Sequence, residues 1–161
     1  MNEEQCDGPS KAATRNFSSL NSSQNAVSHS QLTNLHVLLV EDSPDNQVLF
    51  ERILFKAGVA VDLAENGRVA LELYAKAQVS ERPSQYDAII MDIRMPVVDG
   101  YQATRRLREQ GYLGPIIALT AHSIPGERER RLAAGCSHFF LKPIDRARLL
   151  NAVEEAVLSN A

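Results

Sequence analysis

The stretch from Tyr86 to Gly100, YDAIIMDIRMPVVDG, decides how the rest of the chain is read. Four apolar residues, Ala88 to Met91, run without alternation and stop at Asp92. That is the pattern of a strand covered by helices on both faces and ending at the carboxyl edge of a sheet. In an open α/β sheet, ligands sit at that edge. Met95-Pro96 and then Asp99-Gly100 read as a turn, because proline fixes its own backbone angle and restricts its predecessor while glycine tolerates conformations that others avoid. A carboxylate is therefore held at the mouth of a core strand, on a stiff loop. Alone, such an aspartate is a helix cap or a solvated edge residue; its meaning depends on what the flanking sequence brings beside it.

Upstream, His36 to Val40 forms a strand that ends in Glu41-Asp42. Ser43-Pro44 then starts a helix, with serine as N-cap and proline at the first helical position, and Leu49, Ile53, Leu54 and Ala57 as its apolar positions. Gly58 closes it. A second strand, Val59 to Leu63, leads through Asn66-Gly67 to a helix whose inward face is Val69, Ala70, Leu73 and Tyr74, and a polar loop from Ser80 to Gln85 returns to Tyr86. Downstream, a helix from Tyr101 to Gln110 stops at Gly111, and Pro115 to Leu119 is a fourth strand, ending in Thr120-Ala121. The next helix, Ile124 to Ala134, has few apolar anchors and Gly126 near its start, so packing holds it weakly. Gly135 ends it, His138 to Leu141 is the fifth strand, and Lys142-Pro143 follows. A last helix, Asp145 to Leu158, buries Leu149, Leu150, Val153, Ala156 and Val157. Strict alternation with right-handed crossovers makes this a doubly wound α/β sheet with helices on both faces.

The composition sets the limits of function. A chain of 161 residues, 44% of them hydrophobic, supports one domain with one core. A net charge of −3 gives no reason to expect nucleic acid, which needs lysine and arginine clustered on one face. The basic runs Arg105, Arg106, Arg108 and Arg128, Arg130, Arg131 are interleaved with Glu109, Glu127 and Glu129 and read as solvated helix faces. Cys6 and Cys136 are too far apart and too differently placed for a disulfide framework or a zinc site, which fits a reducing compartment. No apolar run approaches the ~20 residues that cross a bilayer, and the N-terminus is acidic, so the expectation is a cytoplasmic protein without membrane contact. Residues 1–34 are largely polar and read as a disordered tail or interdomain linker.

The ends of the predicted strands carry Glu41 and Asp42, Asp92, Thr120 and Lys142. In a parallel sheet these lie side by side. Three crowded carboxylates repel one another unless a cation joins them, and an all-oxygen site suits a hard divalent ion such as Mg²⁺. Lys142 adds a point charge and Thr120 a hydroxyl donor. The set fits phosphoryl transfer to a carboxylate nucleophile. Neither GxGxxG nor GxxxxGK is present as an alternative phosphate cradle.

At these motifs, VEDSPDN, MDIRMPVVDG, ALTAH and FFLKP, in that order, the sequence resembles the receiver domain of two-component response regulators, over roughly Leu35 to Ser159. The resemblance implies a flavodoxin-like (βα)5 fold over 35–161, with a five-stranded parallel sheet in the order 2-1-3-4-5. It implies that Asp92 accepts a phosphoryl group from a histidine kinase. Mg²⁺ would be held by Glu41, Asp42, Asp92 and the backbone carbonyl of Arg94, and Thr120 and Lys142 would contact the phosphoryl oxygens. Thr120 and Phe139 would act as the switch, moving the face built from the Ile124–Ala134 helix, the fifth strand and the last helix. Such a module is a phosphoacceptor rather than an enzyme. Its partners are a histidine kinase or a histidine phosphotransfer protein, and both a receiver within a hybrid kinase and a free-standing receiver fit. Arg94 and His122 flank the approach of a hydrolysing water. Two rivals make different predictions: an Asp-nucleophile phosphohydrolase, which commonly has DxD at its first strand end where this chain has Glu41-Asp42-Ser43-Pro44, and a degenerate receiver, which tends to lose the five site residues kept here.

Overall fold

The uninterrupted apolar runs of four residues, Val37–Val40, Ala88–Met91 and Ile116–Leu119, all become strands, because a strand flanked on both sides by helices has no solvated face to encode. The computed structural model describes residues 31–80 and 86–160. In chain order the elements are β1 (His36–Val40), α1 (Pro44–Lys56), β2 (Ala60–Ala64), α2 (Gly67–Gln78), β3 (Ala88–Asp92), α3 (Gly100–Glu109), β4 (Ile116–Thr120), α4 (Glu127–Ala134), β5 (His138–Leu141) and α5 (Arg146–Ser159). The strands are parallel and ordered β2-β1-β3-β4-β5, as the resemblance implies. The segments expected to form a disordered tail, up to residue 30, and most of the polar loop before Tyr86 lie outside the described residues.

Side chains alternate between two cores along each strand. Val37, Leu39, Ile90, Ile117 and Leu119 face α1 and α5, meeting Phe50, Ile53, Leu54, Leu149 and Val153. Leu38, Val40, Ile89, Met91 and Ala118 face α2 and α3, meeting Ala70, Leu71, Tyr74, Ala103 and Leu107. The central strands β3 and β4 are buried along their whole length, and β5, at the edge, is not. Leu32, ahead of the first strand, is fully buried in the α1/α5 core, so packing begins before the composition changes.

Several local expectations need correction. In α1 the buried residue is Phe50, and its neighbour Leu49 is exposed; one residue is 100° of helix, enough to exchange core for solvent. In α2, Leu71 is buried, whereas Val69 and Leu73 pack at the margin. β2 begins and ends one residue later than the apolar run. Ser43 occupies the N-cap of α1 but makes no side-chain cap hydrogen bond; its backbone N–H instead donates to Glu41 Oε1 at 3.1 Å. By contrast Asn66, Asp99 and Asp145 cap α2, α3 and α5, each accepting the N–H three residues on. Helix α4 is shorter than expected, starting at Glu127 after Gly126 at φ +86°.

The basic runs are only partly solvated. Arg108 is a clamp: its Nη1 donates to Tyr112 O and Gly114 O at 2.7 Å each, and its Nε and Nη2 donate to Gly135 O at 3.1 and 2.8 Å. This ties the end of α3 to the turn between α4 and β5. Arg131 is buried beneath Phe139. The aliphatic stem of Arg108 lies against Gly135, where a side chain would displace it.

Candidate functional site

Register places the chemistry. Val40 of β1 pairs with Met91 of β3, so the next residues, Glu41 and Asp92, emerge side by side at the carboxyl edge. Asp92 pairs with Leu119 of β4, and Thr120 with Leu141 of β5, so Thr120 and Lys142 follow one step beyond. A one-residue slip would turn any of these side chains to the opposite face.

The groups meet closely. Lys142 Nζ donates to Glu41 Oε2 at 2.7 Å and lies 3.2 Å from Asp92 Oδ2. Asp92 Oδ1 accepts the backbone N–H of Arg94 at 3.1 Å, so each carboxylate oxygen is oriented. Asp92 is only 4% exposed and Glu41 is buried, while Asp42 is exposed and opens the cluster to solvent. One oxygen from each of Glu41, Asp42 and Asp92 lies within 4.8 Å of the others. Three carboxylates against one ammonium leave an excess of negative charge in an all-oxygen set, and that fits a hard divalent cation such as Mg²⁺.

The electrostatics follow from that imbalance. Burial pushes the Asp92 carboxyl up to about 7, Glu41 pushes the same way, and Lys142 and the Arg94 N–H oppose them. Burial also works to lower Lys142, but its hydrogen bond to Glu41 and the charges of Asp92 and Glu41 outweigh it, so its pKa is raised. The asymmetry has a simple cause: Lys142 faces two anions, whereas Asp92 faces one cation and one anion.

Thr120 is fully buried at its strand end, and its hydroxyl is engaged locally, donating to His122 O at 3.1 Å and accepting His122 N–H at 3.3 Å. Phe139 stands at the sheet edge, 47% exposed, with its ring turned outward. Arg94 contributes its backbone to the site while its side chain is exposed. Gln47 was not anticipated from the sequence. Its Nε2 donates to Glu41 O at 2.6 Å, pinning the acidic loop to α1; a glutamine one turn after Ser43-Pro44 was the available signal.

Gly100 is a second contributor that a motif alone does not explain. Its backbone is not left-handed; the constraint is space. A Cβ there would fall on the Asp92 carbonyl oxygen and within 2.7 Å of Ile93 Cα, because Gly100 N–H donates to Ile93 O at 3.0 Å. Gly100→Ala is expected to cost about 1–3 kcal/mol as overpacking against backbone. Urea unfolding would measure it, and a change below about 0.5 kcal/mol would show that the loop yields freely.

Comparison with known proteins gives the family and the fold. The family described as "Response regulator receiver domain" matches residues 37–154. A "Probable histidine kinase 2" of Oryza sativa subsp. indica is 41% identical over 133 residues, covering 76% of this chain but only 13% of that protein. A "Two-component response regulator ORR41" of Oryza sativa subsp. japonica is 38% identical over 117 residues, covering 71% of this chain and 88% of that protein. Among solved structures, the receiver domain of a sensor histidine kinase from Pseudomonas aeruginosa PAO1, with a magnesium ion coordinated in its active-site cleft, superposes with a TM-score of 0.66 at 41% identity, covering 76% of this chain and 97% of that one. The chain thus spans a small part of its kinase relatives and most of a response regulator, and no described helix is long and apolar enough to cross a membrane. It belongs to the response regulator receiver domains, the phosphoacceptor modules of two-component and phosphorelay signalling.

Proposed function

We propose that Asp92 is the phosphoacceptor and that its donor is the phosphohistidine of a histidine kinase or a histidine phosphotransfer protein. The observation that carries this is the clasp on Asp92: one oxygen fixed by the Arg94 N–H, the other beside Lys142, within a three-carboxylate cluster. An Asp92 oxygen attacks phosphorus and forms the new P–O bond; the P–N bond breaks and its electron pair stays on the donor imidazole. Mg²⁺, held by Glu41, Asp42, Asp92 and the Arg94 carbonyl, supplies countercharge to the carboxylate and phosphoryl oxygens when bound. Lys142 is already at the site and turns from Glu41 toward the added phosphoryl oxygens. Thr120 gives up its His122 contacts to donate to another of them, and the freed space admits Phe139. A cleft of about 330 Å³ runs from Lys142 between Leu49, Phe50, Ala121 and Ile144, and its apolar wall supports docking of a protein donor beside the nucleophile.

Incubation with acetyl phosphate and Mg²⁺ tests the reading. One slowly formed phosphoryl group per chain is expected, whereas many turnovers of inorganic phosphate would assign a hydrolase instead. Lys142→Ala and Thr120→Ala should slow formation of the phosphorylated, switched state by about 10–100-fold while Mg²⁺ affinity changes little. Collapse of Mg²⁺ affinity in the Lys142 variant would contradict the roles given to the lysine and the carboxylates.

A further inference from the structure

Arg131 sits where an arginine is costly. It is 5% exposed, its Nε donates only to the Glu127 carbonyl at 3.2 Å, and its buried Nη1 has no hydrogen-bond partner. Among the described residues no carboxylate lies within 4 Å of it. What it does have is Phe139: the guanidinium carbon is 3.8 Å from the ring centroid, a stacked cation–π contact. A largely buried guanidinium with no carboxylate at ion-pair distance leans on such a contact.

Phe139 also has an alternative place to go. It pairs in register with Ala118, and Thr120 lies two residues further along β4 on the same face. Ala118 is fully buried and offers no side chain beyond Cβ, so a ring turning inward would lie over it toward Thr120. That turn would strip Arg131 of its main partner.

We infer that Arg131 is a positioning residue that latches Phe139 outward and thereby sets the resting state of the α4–β5 face; this rests on the receiver reading of Asp92 and names a regulator of that site. The latch also couples the ring to the helix. Helix α4 has eight residues, an N-terminus at a left-handed glycine and Leu132 facing solvent, so it moves more easily than the sheet. Phe139 turning inward therefore releases Arg131, and α4 shifts to rehydrate or re-pair the guanidinium.

The test uses the full unphosphorylated chain. In Arg131→Met, which keeps length and packing but not charge, the inward population of Phe139 is expected to rise about tenfold, between the scales of an exposed and a desolvated cation–π contact, since Phe139 is half-exposed. The readout is the NOE between the Phe139 ring and the Thr120 methyl. Arg131→Lys keeps the charge but not the planar stack and should fall between methionine and wild type. An outward ring with unchanged population in Arg131→Met would overturn the latch. Should that variant not fold, Phe139→Leu serves: the Arg131 Nε–H should exchange with solvent about tenfold faster, and unchanged exchange would equally overturn it. Neither measurement involves phosphate, so failure of Asp92 to label would remove the receiver chemistry without touching these results.

Discussion

Replacing Asp92 with asparagine is expected to abolish covalent phosphorylation by acetyl phosphate, at least about 100-fold below the wild-type rate, because a neutral amide is no nucleophile toward phosphorus. The neighbouring carboxylates are poor substitutes for different reasons. Glu41 is buried and already bound by Lys142 and the Ser43 N–H. Asp42 is exposed, and among the described residues no hydrogen bond orients it as the Arg94 N–H orients Asp92. Intact mass and hydroxylamine sensitivity of the acyl phosphate give the measurement. Because asparagine preserves size and one hydrogen-bond acceptor for the Arg94 N–H, a lost label reports chemistry rather than misfolding. Persistence of the label at a comparable rate in the variant would place the acceptor elsewhere and remove the basis of the assignment.

That nucleophile was readable from sequence for a physical reason. A run such as AIIMD can stop at a charge only where the strand leaves the core, and adjacent parallel strands leave it at the same edge. Finding the ends of His36–Val40, Ala88–Asp92, Ile116–Thr120 and His138–Leu141 is therefore nearly the same as finding the site. What stayed hidden depends on partners far away in sequence. Arg131 and Arg108 sit in strongly polar stretches and look solvated; their burial comes from Phe139, Gly135, Tyr112 and Gly114, which no helical periodicity records. Phe50 over Leu49 was, by contrast, legible: Phe50 precedes Ile53, Leu54 and Ala57 by three, four and seven residues and so shares their apolar stripe. The crowding at Gly100 arises from backbone atoms of Asp92 and Ile93, which leave no trace in side-chain patterns.

The same carboxylate should make the metal-free protein less stable as pH rises, opposite to the usual behaviour of a paired aspartate. The ordinary value for Asp92 is 3.8, and burial raises it to about 7 in the fold. The folded state thus holds this proton more tightly than the unfolded one, so its contribution is fully present below pH 4 and is lost as pH climbs through 7. Lys142 does not offset the change in that window, since its own raised pKa keeps it charged throughout. Asparagine mimics the protonated acid at every pH. The stability difference between Asp92→Asn and wild type, measured with chelator present, should therefore be smallest near pH 4 and widen steadily between pH 4 and 7. By pH 8 it should favour the variant by an amount on the order of 2–4 kcal/mol, or roughly 10 °C in Tm. Millimolar Mg²⁺ at pH 8 should recover most of that deficit in wild type and little in the variant, which has lost one of the three carboxylates that hold the ion. A variant-minus-wild-type difference that stayed constant from pH 5 to 8 would mean that Asp92 ionises without strain, and the crowded-carboxylate account of why this pocket wants a cation would have to be abandoned.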